Sequence, residues 1–258
     1  MAASMDLPII ETALQGWRDA AAAREKMPTL FWIAIAIMIA LAILHVLLGG
    51  LSFFSFIVSV IFGLAQALAL TPLAIAVHRF VLLDEARDAY DFAPGDPRFQ
   101  KFFLFTIGLE ILGAIPLIVS FLFAFIASFL SSIVLLVLAI GTAIITVRCA
   151  ILFPSIAIDS PSADWRNAME DTKGHSWRVF LVLLCTVLPV VVIQVVLGAL
   201  VVALFFGNWL LSSLVLALII PVITVFTVAA MAASASRLFA AYADRLGRPS
   251  NLYPRPAV

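Results

Sequence analysis

Hydrophobic and charged positions fall into long separate blocks along this chain. Residues 27–78, 102–147 and 179–236 contain no Lys or Arg, and Glu110 is their only acidic residue. One membrane-spanning helix takes about 20 apolar residues. Each block is at least twice that length and reads as a helical hairpin, so three hairpins predict six transmembrane helices. Every hairpin returns to the side it left, which gathers the four charged segments on one face of the membrane. The turns on the opposite face are expected at Gly49 to Ser52, Ser128 to Ser132 and Gly207 to Trp209.

The expected spans are Pro28–Leu48, Phe53–Leu83, Lys101–Ala127, Ser132–Ile158 without a break, Trp177–Phe206 and Leu210–Tyr242. The chain divides into a cytoplasmic amphipathic segment (1–26), a six-helix transmembrane domain (27–243) and a disordered cytoplasmic tail (244–258). In the first segment Ile10, Leu14, Trp17 and Ala21 recur at helical spacing with charges on the other face. That pattern predicts an interfacial helix, or equally a helix packed on the ends of the spans. A second short amphipathic helix is expected within 162–173, where Trp165 and Met169 share a face, capped by Ser160 or Ser162 and ended by Gly174. Trp17, Trp165 and Trp177 are candidate interfacial anchors.

Composition agrees with the blocks. A soluble domain is roughly a quarter charged. This chain is 12% charged and 64% hydrophobic, with mean hydropathy +1.19. Its fifteen Lys and Arg all lie in the four segments outside the three apolar blocks. Basic residues near span ends stay cytoplasmic, and nearby acids hardly counteract them. Both termini are therefore expected in the cytoplasm, with the protein in a bacterial inner membrane. The first 25 residues carry Asp6, Glu11, Asp19 and Glu25, unlike a cleavable signal. Cys149 and Cys185 match no metal or redox motif and read as buried small residues.

Candidate chemistry is sparse. Glu110 lies about 13 Å into its helix, and Arg148, about 16 Å from Asp159, is its expected partner. A structural ion pair is favoured there over a proton or substrate site. Gln66 and Gln194 complete a candidate intramembrane polar site and are expected to make interhelical hydrogen bonds. Pro72, Pro116, Pro154, Pro189 and Pro221 interrupt five helices, which membrane helices tolerate when neighbours satisfy the freed carbonyls. The run Ala229 to Ser236 offers a small face for close helix contact. An arginine near the cytoplasmic end of each even helix, followed by an Asp (Arg79 to Asp84, Arg148 to Asp159, Arg237 to Asp244), reads either as a threefold duplication or as snorkelling. No phosphate loop, metal cluster or activated nucleophile is legible. No cofactor, metal or nucleic-acid partner is expected.

Arg148, Pro154, Asp159 and Trp165, followed by Thr172-Lys173-Gly174 and Trp177-Arg178 entering an apolar helix, carry a resemblance. The segment resembles bacterial six-helix inner-membrane proteins of unknown function, related to the membrane domain of glycerophosphoryl diester phosphodiesterases. Their catalytic domain has no counterpart here, so the resemblance implies a membrane context and envelope lipids, with no enzymatic activity. The function expected is a non-enzymatic role in envelope or lipid homeostasis through membrane lipids, a protein partner or self-association. The alternative is a small transporter or permease subunit using the polar site near Glu110 and Arg148.

Overall fold

The computed structural model describes residues 7–48, 55–124 and 128–247. It is an all-α bundle, with no strand among the described residues. The helices are α1 (Ile9–Lys26), α2 (Pro28–Leu48), α3 (Ser55–Leu83), α4 (Pro97–Ala124), α5 (Ser128–Cys149), α6 (Leu152–Ala157), α7 (Trp165–Asp171), α8 (Ser176–Leu204) and α9 (Trp209–Tyr242). Six stretches are long and apolar enough to cross a membrane: α2, α3, α4, α5 with α6, α8 and α9. They pair as the hairpins α2–α3, α4–α5 and α8–α9. The turn expected at Gly49 to Ser52 lies outside the described residues. Ser128 to Ser132, expected as the second turn, instead open α5, because serine suits a helix start as well as a turn. In the third, Gly207 takes φ +85° and the Asn208 side chain caps α9 by accepting from the Leu211 amide at 3.0 Å.

The fourth span is broken, where an unbroken helix to Ile158 was expected. Pro154 has no amide hydrogen and its ring crowds the carbonyl four residues back, at Ala150. The helix stops there: α5 ends at Cys149, and the Ala150 amide turns tightly to the Val147 carbonyl at 3.2 Å before α6 begins.

The helices do not all start at one level. Phe31 on α2 meets Phe226 on α9, ring centroids 5.6 Å apart, so α2 begins opposite Ala229. The part of α9 beyond Ala229 therefore extends about 20 Å past the start of α2. From Ala229 back to Trp209 is about 30 Å, the thickness of a bilayer's hydrocarbon core. Beyond Ala229 the ends of α3, α8 and α9 join α1, α6 and α7 in a basal layer with its own core, including Ile151, Val179, Val182, Leu238, Phe239 and Leu246. The apolar blocks thus combine two environments, a lipid-facing slab and a packed layer at the charged end.

α1 belongs to this layer and is not a helix lying flat with Ile10 and Leu14 buried. Its buried face is small: Ala13, Gly16, Ala20 and Ala23. A Cβ on Gly16 would lie 2.0 Å from Ser234 Oγ and 3.2 Å from the Ala230 carbonyl. Those residues belong to the small-residue run of α9, so two small faces meet and the helices run close and antiparallel. Ile10 and Leu14 point away, 69% and 52% exposed. The α4–α5 hairpin is peripheral. Only 11% and 6% of its apolar windows are buried, against 28% to 39% in the other four spans. Near its far end, Ser120 and Ser131 clasp each other, their hydroxyls 2.8 Å apart.

Candidate functional site: the basal layer

The polar groups of the chain concentrate in the basal layer, where most act as ties. The arginine near the charged end of the second, fourth and sixth spans holds the segment that precedes the next hairpin. Arg79 on α3 donates from Nε and Nη2 to Glu85 at 2.9 and 2.6 Å, and from Nη1 to the Ala157 carbonyl at 3.0 Å. Arg148 on α5 donates from Nη2 to the Met169 carbonyl and from Nε to Thr172 Oγ1 at 3.3 Å, gripping α7. Arg237 on α9 closes the cycle on α1 by binding Asp19. This cyclic use fits three related hairpins.

Acidic side chains tie loops to helix ends. Asp88 accepts from the amides of Thr29 and Leu30 at 2.7 and 3.2 Å and from the Thr29 hydroxyl at 2.8 Å. It caps α2 from a loop more than fifty residues away, satisfying amides that a helix start leaves orphaned. Asp171 accepts from three successive amides, Asp244, Arg245 and Leu246, each at 3.0 Å. The Leu246 carbonyl accepts from Ser160 Oγ at 2.5 Å. Residues 244–247, expected to open a disordered tail, are therefore fastened down; 248–258 lie outside the described residues. Asp159 pairs with Arg98 through two guanidinium hydrogen bonds. Asp84 and Asp159 both adopt positive φ, 55° and 56°, just past the ends of α3 and α6. Asp is among the few residues that accept this conformation. α7 is capped by Asp164, which accepts from the Arg166 amide at 3.1 Å, in place of Ser160 or Ser162.

Two helix prolines receive a donor in the turn that they disturb. Tyr90 donates its hydroxyl to the Ala69 carbonyl at 2.8 Å, three residues before Pro72. Trp17 donates Nε1 to the Thr186 carbonyl at 3.1 Å, three residues before Pro189. Burial pushes the Tyr90 phenol above its usual pKa. Inside the layer His78 and Ser236 are hydrogen-bonded at 2.8 Å, and Thr186 and Ser234 at 3.0 Å.

A crevice between α3, the 84–96 loop and α4 is lined by Pro72, Arg79, Asp91, Asp96, Arg98 and Phe99. Its volume is about 70 Å³, well below the ~300 Å³ at which small-molecule pockets begin. Among the described residues no three His, Cys, Asp or Glu side chains group closely enough to hold a metal ion.

The structure separates the expected polar site. Glu110 is exposed, and Arg148 is occupied by α7. The Ser120–Ser131 clasp sets the hairpin's register, placing Arg148 opposite Phe103, about 10 Å from the level of Glu110. Phe102 contacts His78, at the level of Ser236, with ring centroids 5.8 Å apart. Glu110 lies about 12 Å further along α4, level with the start of α2. It therefore marks the edge of the slab, where a carboxylate needs no buried partner. Gln66 and Gln194 are half-buried, and neither side chain makes a hydrogen bond to another described residue. Trp17 is half-buried against α8 and α9. Trp165 is exposed beneath the Arg166 guanidinium, and Trp177 is exposed and stacked on Phe180. Trp177 lies about 20 Å beyond the start of α2 along the bundle. Trp32 and Trp209 are 60% and 67% exposed.

No family model matches this chain, and no curated protein or solved structure matches it either.

Proposed function

We propose that this chain is a non-catalytic, multi-pass protein of a bacterial inner membrane, with both termini cytoplasmic, acting in envelope or lipid homeostasis by binding lipid or a protein partner. The observation that carries this reading is the division of labour between slab and layer. The arginines and aspartates described above hold the layer together, while the slab turns apolar surface outward, above all on α4, α5 and α8. Leu117, Phe121, Leu136, Val137, Val195 and Val196 are each 60% exposed or more. Such faces suit acyl chains. Both described chain ends meet in the layer, where Leu7 and Ile9 pack on the cluster containing Tyr242 and Leu246. The basic residues on that side favour the cytoplasm. The resemblance to bacterial six-helix inner-membrane proteins of unknown function, which rests on the residues of one segment, supports the same reading.

Two measurements test the proposal. Protein purified in mild detergent is expected to retain phospholipid, and its deletion to alter the envelope without abolishing uptake of one solute. Saturable flux of a small solute into reconstituted vesicles, lost on Glu110→Gln, would instead establish a transporter.

A further inference from the structure

The α4–α5 hairpin stands apart from the other four spans. Inside the slab, its buried residues among those described are Pro116, Ser120 and Ser131. Pro116 and Ser120 lie one turn apart on one face of α4. That face meets Ser131 of α5, where each serine hydroxyl donates to the other residue's carbonyl, at 3.2 and 2.8 Å. The hairpin thus packs on itself. By contrast, α2 buries Ala34, Ile35 and Met38, and α9 buries Ala217, Pro221 and Val225. Lipid tails are as apolar as leucine, so only close packing or hydrogen bonding draws one span to another.

At its base the hairpin is held. Phe102 is 4% exposed, and its ring lies 5.8 Å from His78 and 4.9 Å from Phe153. Arg148 grips α7. Beyond α5, α6 buries five of its six residues in the basal layer, and the break after Cys149 interrupts the helix between them.

We propose that α4 and α5 form one arm that swings as a unit in the membrane. Its pivots are Phe102 and the turn at Ala150 and Ile151, and it moves against a fixed core of α2, α3, α8 and α9. Few buried contacts mark the parts of a protein that open at low cost, and hinges sit at the ends of elements. The arm borders α3 through α4 and α8 through α5. Its swing therefore sets the width of the space open to acyl chains on either side. The inference rests on the lipid-facing reading of the slab and adds movement to it. Lipid retention does not require the arm to move, so the two can fail separately.

The test is double electron–electron resonance on the full chain in lipid nanodiscs, with spin labels carried on unnatural residues so that Cys149 and Cys185 stay in place. Labels at Leu104, near the base of α4, and at Leu117, in its outer half, are each paired with Ile61 on α3 and with Val195 on α8. The Ile61–Val195 pair gives the spread of the core itself. All four positions are at least 58% exposed, so the labels leave the packing alone. Unchanged thermal unfolding of the labelled proteins is the folding control. A tilt of about 10° at Phe102 moves Leu117, ~22 Å along α4, by about 4 Å and Leu104 by less than ~1 Å. The distance distribution from Leu117 to at least one partner is therefore expected to be about 4 Å broader than those from Leu104 and within the core. Distributions from Leu117 no broader than those from Leu104 overturn the inference. So does a core pair as broad as the Leu117 pairs, because the bundle then softens as a whole and no arm is distinguished.

Discussion

Asp19 on α1 and Arg237 on α9 lie 218 residues apart in sequence and meet in a two-bond ion pair, with Oδ2 2.5 Å from Nε and Oδ1 2.8 Å from Nη2. Both side chains are mostly buried, 20% and 26% exposed. A two-point pair of this kind fixes geometry as well as adding energy. Losing one partner leaves a partly buried charge uncompensated, so Asp19→Asn or Arg237→Met alone is expected to destabilise the detergent-solubilised protein by ~1–3 kcal/mol. The double variant should lose less than the sum. Thermal unfolding of the four proteins in a mutant cycle measures this, and strict additivity would remove the pair as a tie.

The contact of Gly16 with α9 gives a steric prediction. Gly16→Ala puts a methyl group into Ser234 Oγ and close to the Ala230 carbonyl. Overpacking of this kind is expected to destabilise by ~1–3 kcal/mol. Ser234→Ala in the same chain removes the nearest atom and should recover part of the loss. An unchanged melting temperature for Gly16→Ala would show that α1 does not sit against α9 this closely.

Asp88 predicts a local opening rather than a global one. Asp88→Ala removes the cap of α2 and should lower stability by about 1 kcal/mol. It also frees the 84–96 loop, so trypsin should cut faster at Arg87. Asp88→Asn keeps an acceptor and should keep most of the protection.

Tyr90 makes that loop sensitive to alkali. Its phenol donates to Ala69, and burial raises its pKa above the unfolded value near 10. The neutral form is the one the fold favours. The contribution is therefore complete below the unfolded pKa and lost as pH rises through the folded one. Loop protection against trypsin should fall above about pH 10, and Tyr90→Phe should lower it at neutral pH while removing the alkaline step.

The hairpins were legible because charge segregates so sharply, and the helix ends at Leu83 and Tyr242 fall where the sequence placed them. The break after Cys149 was available in Pro154, whose effect falls on Ala150, four residues earlier. The face of α1 was not legible from hydropathy. Ile10 and Leu14 are the larger apolar residues, yet close helix contact selects Ala13, Gly16, Ala20 and Ala23, and apolar periodicity reports transfer from water and not closeness of approach. The edge of the slab was hidden for a related reason. Val179, Val182 and Leu238 are apolar because they fill a protein core, while Val195 and Leu136 face the lipid, and sequence cannot distinguish the two. Glu110 was expected beside Arg148, whereas it is exposed and Arg148 binds α7. Caps supplied across the fold, such as Asp88 on α2 and Asp171 on residues 244–246, carry no local signal.

The division into slab and basal layer is tested most directly along the exposed face of α4. Leu104 and Ile118 are 66% and 58% exposed, on either side of Glu110. Nitroxides placed singly at these positions in nanodisc-embedded protein report whether each is relaxed by membrane-dissolved oxygen or by a water-soluble nickel complex. The account predicts oxygen at Ile118 and nickel at Leu104, with the crossover near Glu110. Oxygen-dominated relaxation at Leu104 equal to that at Ile118 would put the start of α4 inside the hydrocarbon and contradict it.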